Sequence, residues 1–319
     1  MNFSNFNPVK KNILLGTALW GWSINQHTAF DLLENFLDKG GNFIDVATNY
    51  PINKSKEDYG LAIKWLSKWK KFNQSHKFSL LIKIGSVDNL GNFDVDLSPK
   101  NIIDTTNRLK DTFEDSLSCI SVHWDERGNN ISDDKLIHET VKTFSIIRDS
   151  GLAIGLSGVK FPGAYYKADP TLSDHWLIQV KENFITTKSR NSYEVFFPSA
   201  KYLAYGINLG GVKLEPLEGN SSIKLRGLEH SNSIIDELLD FIKSNYDTMP
   251  NSKLFNELAL TAAYFNPYLS GVIVAPSNLG QLQNTLAYWQ HLEKNKNDFK
   301  NLDAHKLLRN SQVIKNVNR

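Results

Sequence analysis

Residues 41–50 read GNFIDVATNY, and the fold turns on how this stretch is taken. Phe43, Ile44 and Val46, bounded by a Gly pair and by a polar Ala-Thr-Asn run, make a short buried strand over 42–46. Asp45 falls at the exit of that strand and Tyr50 follows it. A buried carboxylate is costly without a partner, so partners must arrive from elsewhere in the chain. Two later apolar runs supply them. FSLLIKIG (78–85) carries Lys83 near its end, and SCISVHWDE (118–126) carries His123 in the corresponding place. Asp45, Tyr50, Lys83 and His123 thus stand at or just past the ends of three successive strands, with helical segments between them, where the carboxyl face of an α/β barrel would gather them.

Working outward, NILLGT (12–17) is a strand, and Phe30, Leu33 and Leu37 recur at helical spacing up to Lys39-Gly40-Gly41. Lys56–Trp69 places Leu61, Ala62, Trp65, Leu66 and Trp69 on one helical face. Ser98-Pro99 opens a long helix reaching toward Cys119. Ile137, Val141, Phe144 and Ile147 mark another helix, ended by Gly151. AIGLSG (153–158) and WLIQVKEN (176–183) are the fifth and sixth strands. Tyr193–Tyr205 is a helical candidate containing Pro198, and GVKLEPL (211–217) is the expected seventh strand. Helices around 234–242 and 255–264 lead to GVIVAPS (271–277), the eighth strand, and a last helix starts near Leu279. The mixed-charge tail from about 294 reads as a solvated end, or as a flap over the mouth. Eight strand-then-helix units without a composition break predict an α/β fold, a single-domain (β/α)8 TIM barrel over 1–319, rather than a doubly wound sheet of about six strands.

Composition narrows the function. The chain has 319 residues, 41% hydrophobic and 22% charged, enough to bury a large core. Its formal charge of +2, with both signs interspersed, gives no basic face for nucleic acid. No apolar run reaches the ~18 residues of a spanning helix, so no membrane is expected and the cytoplasm is the default location. Cys119, the single cysteine, opens an apolar strand and reads as a buried small hydrophobe. The eight histidines are scattered and no Cys pair exists, so no metal is expected.

The four polar groups suit one chemistry. A phenol has a pKa of ~10, and a nearby ammonium would stabilise its phenolate. Lys83 would serve as that ammonium, Asp45 would hold it charged and aimed, and His123 would donate a hydrogen bond toward the same oxygen. An acid set beside an oxyanion-stabilising field fits carbonyl reduction by a hydride donor. Singly, each residue has an ordinary explanation: a helix cap, loop packing, a snorkelling lysine. Together, in corresponding places on three strands, they do not.

The chain resembles the aldo-keto reductase superfamily over nearly its whole length. The matching pieces are LGTALWGW (15–22), GGNFIDVATNY with KEDYGLAI (56–63), LLIKIG (80–85), ISVHW (120–124), GLAIGLSG (151–158), Gln179 with Asn183, LALTAAYF (258–265) and GVIVAPSNLGQLQNTLAYW (271–289). The resemblance implies an oxidoreductase using NADP or NAD, with Tyr50 as general acid and Lys83, Asp45 and His123 as its companions. It also implies cofactor contacts from Gly16 and Thr17, from Ser157 and Gln179 at the carboxamide, and from Ser277 to Thr285 at the adenosine phosphates. Three departures stand out. Gly158 replaces an Asn common after the serine, and Leu214 or Glu215 stands where an aromatic residue usually follows the seventh strand. Ser277, Asn278 and Gln281 are neutral where a basic residue typically meets a 2′-phosphate, with Asn284-Thr285 in place of Glu-Asn. NADP preference therefore does not follow.

The expected substrate is a small aldehyde, ketone or sugar carbonyl. Trp20, Trp22 and Trp124 either wall the mouth for stacking or pack into the core. Lys224 and Arg226 either meet an acidic group or stay solvated. The alternative function is a non-catalytic, nucleotide-binding or sensing barrel of the same superfamily. Oligomeric state is not readable.

Overall fold

A computed structural model of the chain describes residues 11–183, 185–210, 233–245 and 254–310. Eight strands close into a barrel in chain order, each parallel to its neighbours. They are β1 (Asn12–Gly16), β2 (Phe43–Ala47), β3 (Ser79–Ile84), β4 (Leu117–Asp125), β5 (Ala153–Val159), β6 (Trp176–Lys181), β7 (Lys201–Tyr205) and β8 (Leu269–Val274). The described helices are α1 (Gln26–Asp38), α2 (Leu61–Phe72), α3 (Pro99–Phe113), α4 (Ile131–Asp149), α5 (Pro162–Ala168), α6 (Lys188–Glu194), α7 (Ser233–Ser244), α8 (Phe255–Tyr264), α9 (Leu279–Lys294) and α10 (Phe299–Asn310). This is the (β/α)8 barrel that the alternation of elements predicts. Among the described residues, no helix is long and apolar enough to cross a membrane.

Local chemistry sets the ends of several helices. The Asn25 side chain accepts from Thr28 N, Ser98 caps α3 ahead of Pro99, and Asn278 accepts from Gln281 N at the start of α9. Strand side chains alternate in direction, so each strand serves two cores. Ile44, Val46, Ile82, Val122, Ile178 and their equivalents join the helices in the outer cluster. Leu14, Phe43, Leu81, Cys119, Leu177, Leu203 and Ile273 form a separate cluster drawn from seven strands, which fills the barrel interior.

The site grows directly from this inner ring. Two residues further along four of these strands, toward the carboxyl end, the inward face turns polar: Phe43 gives way to Asp45, Leu81 to Lys83, Leu177 to Gln179, and Leu203 to Tyr205. On β4 the sequence is Cys119, Ser121, His123. Gly155 makes room at this level, since a Cβ there would collide with the Ser121 hydroxyl and the Leu177 carbonyl.

The structure corrects the sequence reading in the seventh unit. The helical candidate 193–205 divides into the end of α6, a bend through Pro198, and β7 at Lys201–Tyr205. Within KYLAY, Leu203 enters the inner cluster while Tyr202 and Ala204 join the outer one, which is the alternation of a strand. The barrel's seventh strand is therefore not 211–217, residues that lie outside the described ones, as do Glu215, Lys224 and Arg226. Two other boundaries move. The helix expected from Lys56 starts at Leu61, behind a left-handed Gly60 (φ +73°). The tail is not simply a solvated end either: Phe299–Asn310 is helical, packs on α8, and buries Ala304 and Leu308.

Candidate active site

β2, β3 and β6 bring a carboxylate, an ammonium and an amide together inside the barrel. Lys83 Nζ lies 2.6 Å from each oxygen of Asp45 and 3.2 Å from Gln179 Oε1, while Gln179 Nε2 donates to Asp45 Oδ1 at 2.7 Å. All three residues are buried. The Asp45 carbonyl is held as well, accepting from Thr17 N (3.1 Å) and Thr17 Oγ1 (2.9 Å). A buried ion pair holds only when its remaining hydrogen-bonding capacity is met. Here both carboxylate oxygens and all three ammonium hydrogens have partners.

Tyr50 stands over this cluster. Lys83 Nζ is 5.0 Å from the centroid of its ring, and the ring meets His123 edge-on at 5.5 Å between centroids. Its hydroxyl finds no acceptor among the described residues. Burial pushes the phenol up to about 12, although the positive charge of Lys83 and a hydrogen bond from it pull it down, while the charge of Asp45 adds to the rise. The expectation that the lysine would govern the phenol's acidity thus needs correcting: removal from water outweighs the ammonium. For Lys83, burial disfavours the charge, but Asp45 and Tyr50 overcome this and hold the ammonium above its ordinary value. His123 is kept well below its usual 6.5, first by burial and then by Lys83, so its imidazole is neutral near neutral pH. Its Nδ1 meets Ser86 Oγ at 3.1 Å, and the Trp124 ring lies against it with centroids 4.0 Å apart.

The remaining candidates divide. Ser157 points inward and its hydroxyl bonds to no described residue, although its carbonyl accepts from Tyr193. Gly158 is exposed opposite Trp124, and a Cβ there would stand 3.0 Å from Trp124 Cβ. Gly16 borders β8, where a Cβ would come within 2.9 Å of Ile273 Cγ2. Thr17 is fully buried, its hydroxyl engaged by Asp45. Gln179, expected at a carboxamide, has both ends of its amide on the ion pair, with one Nε2 hydrogen still unused. At the start of α9, Ser277 N and Oγ donate to Gln281 Oε1 (2.9 and 3.0 Å), and Asn284 is exposed. Of the tryptophans, Trp20 is fully buried and belongs to the core, Trp22 packs against that core half-buried, and Trp124 alone covers a site residue.

Two residues of the site escaped the sequence reading. Tyr205, at the end of β7, is 37% exposed, and its phenol feels both Lys83 and Asp45. It is an aromatic residue at the end of the barrel's seventh strand, where the sequence reading of 211–217 finds only Leu214 or Glu215, and KYLAYG carried the signal. The other is Ser86. Its partnership with His123 has no sequence signature.

A profile of the aldo/keto reductase family matches residues 12–210. The chain belongs to the aldo/keto reductase family. At the family's level, the activity is NAD(P)-dependent oxidation and reduction of carbonyl compounds. Among curated proteins, none matches the chain. Similar solved structures include the holo form of aldo-keto reductase AKR11C1 from Bacillus halodurans, with TM-score 0.61 and 17% identity over 89% of this chain and 91% of that one. Another is PA4992 from Pseudomonas aeruginosa, itself assigned to the aldo-keto reductases only by inference, with TM-score 0.57 and 19% identity over 88% and 90%. At such identities these likenesses speak to the fold.

The described residues fit the nicotinamide dinucleotide that the family uses. Tyr205 offers a partly exposed ring whose phenol feels the charge of Lys83, Ser157 has a hydroxyl with no described partner, Gly158 presents bare backbone, and α9 presents its amino end, whereas Gly16 is buried. Residues 275–285 contain no Lys or Arg, so this loop has no charged partner for a 2′-phosphate.

Proposed function

We propose that this protein reduces the carbonyl of a small aldehyde, ketone or sugar, with Tyr50 as the proton donor. One observation supports this above the others: Lys83 and Gln179 meet both oxygens of Asp45, which leaves the Tyr50 phenol holding its proton beside a fixed positive charge. When bound, the nicotinamide supplies the hydride. Tyr50 Oη gives its proton to the carbonyl oxygen, and Lys83 stabilises the phenolate left behind. His123 donates a second hydrogen bond to that oxygen from a neutral ring. Asp45 and Gln179 fix the ammonium, so no reorganisation is needed as charge develops. Tyr205 and Ser157 would hold the nicotinamide, and the Ser277–Asn284 region would hold the adenosine end. With neutral side chains there, NAD(H) should serve at least as well as NADP(H).

The test is titration with NADH and NADPH, followed by turnover on a panel of aldehydes, ketones and ketosugars. Turnover with either cofactor supports the reading. Tight binding without reduction of any carbonyl would favour a nucleotide-binding barrel instead, a reading that Gly158 and the neutral 275–285 loop favour.

A further inference from the structure

Ser86 begins the excursion that leads from β3 to α3, and several contacts fix its backbone. It bridges to Val95, its carbonyl accepts from the Tyr59 hydroxyl at 2.8 Å, and Asp96 N donates to the Gly85 carbonyl at 2.8 Å. Asn89 ties the same excursion to the Pro51 carbonyl at 3.4 Å. The Ser86 hydroxyl is buried, and its one described partner is His123 Nδ1, 3.1 Å away. The imidazole itself is confined between the Trp124 ring and the Tyr50 edge.

A neutral imidazole has one donor nitrogen and one acceptor nitrogen. Suppose Nδ1 donated to Ser86. The serine hydrogen would then have no acceptor among the described residues, and Nε2 would turn a lone pair toward the incoming carbonyl oxygen. With the serine donating instead, only lone pairs stay unfilled, and an unfilled acceptor is less costly than an orphaned donor. We propose that Ser86 is a positioning residue: its hydroxyl donates to Nδ1 and so places the His123 proton on Nε2, where it serves as the second donor to the reacting oxygen. This rests on the reading of Tyr50 and His123 given above, and it adds a residue on which that reading depends.

The experiment is a nitrogen-15 histidine spectrum of the full chain, with the His123 signals identified by their loss in His123→Gln. Wild type should show the Nε2–H tautomer. Ser86→Ala should lose that preference, with kcat down about five- to tenfold, the effect of one hydrogen bond, and cofactor affinity unchanged. Ser86→Thr, which keeps the hydroxyl, should restore both the tautomer and the turnover. An Nδ1–H tautomer in wild type, or an unchanged tautomer in Ser86→Ala, overturns the proposal. If Ser86→Ala does not fold, the wild-type and Ser86→Thr spectra decide. Because the spectrum requires no turnover, failure of the reductase reading registers separately, as wild type that reduces no carbonyl.

Discussion

Asp45, Lys83 and Tyr50 meet inside the barrel, while Asp125, Arg127 and Tyr165 meet at the end of β4 against α4 and α5. Both clusters combine a carboxylate, a cation and a phenol, and both carboxylates are buried. In the second, Arg127 grips Asp125 with Nε (2.9 Å) and Nη2 (2.7 Å), the Tyr165 hydroxyl donates to Asp125 Oδ2 at 2.7 Å, and Thr140 takes a further arginine hydrogen at 3.1 Å. Burial, then the charge of Asp125, pushes the Tyr165 phenol well above its ordinary value. Its proton is held by the carboxylate, and the cluster works as a latch between strand and helices. In the first cluster, Lys83 and Gln179 meet the carboxylate, and the phenol faces the Lys83 ammonium instead. The same three groups thus hold the phenol's proton on the carboxylate in one cluster and, in the function proposed above, leave it available for transfer in the other, according to whether the phenol faces the carboxylate.

The largest effect expected from breaking this comparison is on Lys83. Lys83→Met removes the partner of a buried carboxylate, which should cost ~3–5 kcal/mol in chemical denaturation and abolish turnover. Adding Asp45→Asn should recover most of the stability and none of the activity, because the uncompensated charge is gone while the field on Tyr50 stays absent. Next is Tyr165→Phe in the latch. It removes one hydrogen bond to a charged acceptor and should lower stability by ~1.5–3 kcal/mol, leaving turnover per folded molecule unchanged.

The smallest effect is on pH. With Tyr50 near 12 and His123 neutral, neither group should impose a limb on reduction between about pH 7 and 9, whereas alcohol oxidation, which needs the phenolate, should gain on reduction as pH rises. Stability has its own sign. His123 titrates below its unfolded value of 6.5, so the unfolded chain binds the extra proton. Stability should therefore be complete above 6.5 and fall as pH drops below it, as thermal unfolding across pH 5–8 would show.

The sequence carried much of this, because the strands holding Asp45, Lys83, His123 and Gln179 are apolar runs bounded by Gly or by polar turns, and each places its polar residue near the exit. β7 was illegible for a physical reason. KYLAY is a five-residue strand just after Pro198, while GVKLEPL, further on, alternates as a strand should; missing β7 meant missing Tyr205. The bond from Gln179 to Asp45 spans 134 positions and leaves no local mark. Trp20 could not be told from a mouth residue, since an indole suits a wall and a core equally well. The α10 helix was masked because Ala304 and Leu308 lie among charges, and only contact with α8 makes them core.

The claim at the centre is that the Tyr50 hydroxyl, and no other group, protonates the carbonyl oxygen. Single-turnover hydride transfer, followed with saturating reduced cofactor and carbonyl in wild type and Tyr50→Phe, tests it most directly. The account predicts a rate at least ~10²-fold slower in the variant, with cofactor affinity unchanged. Equal rates in the two proteins would contradict it.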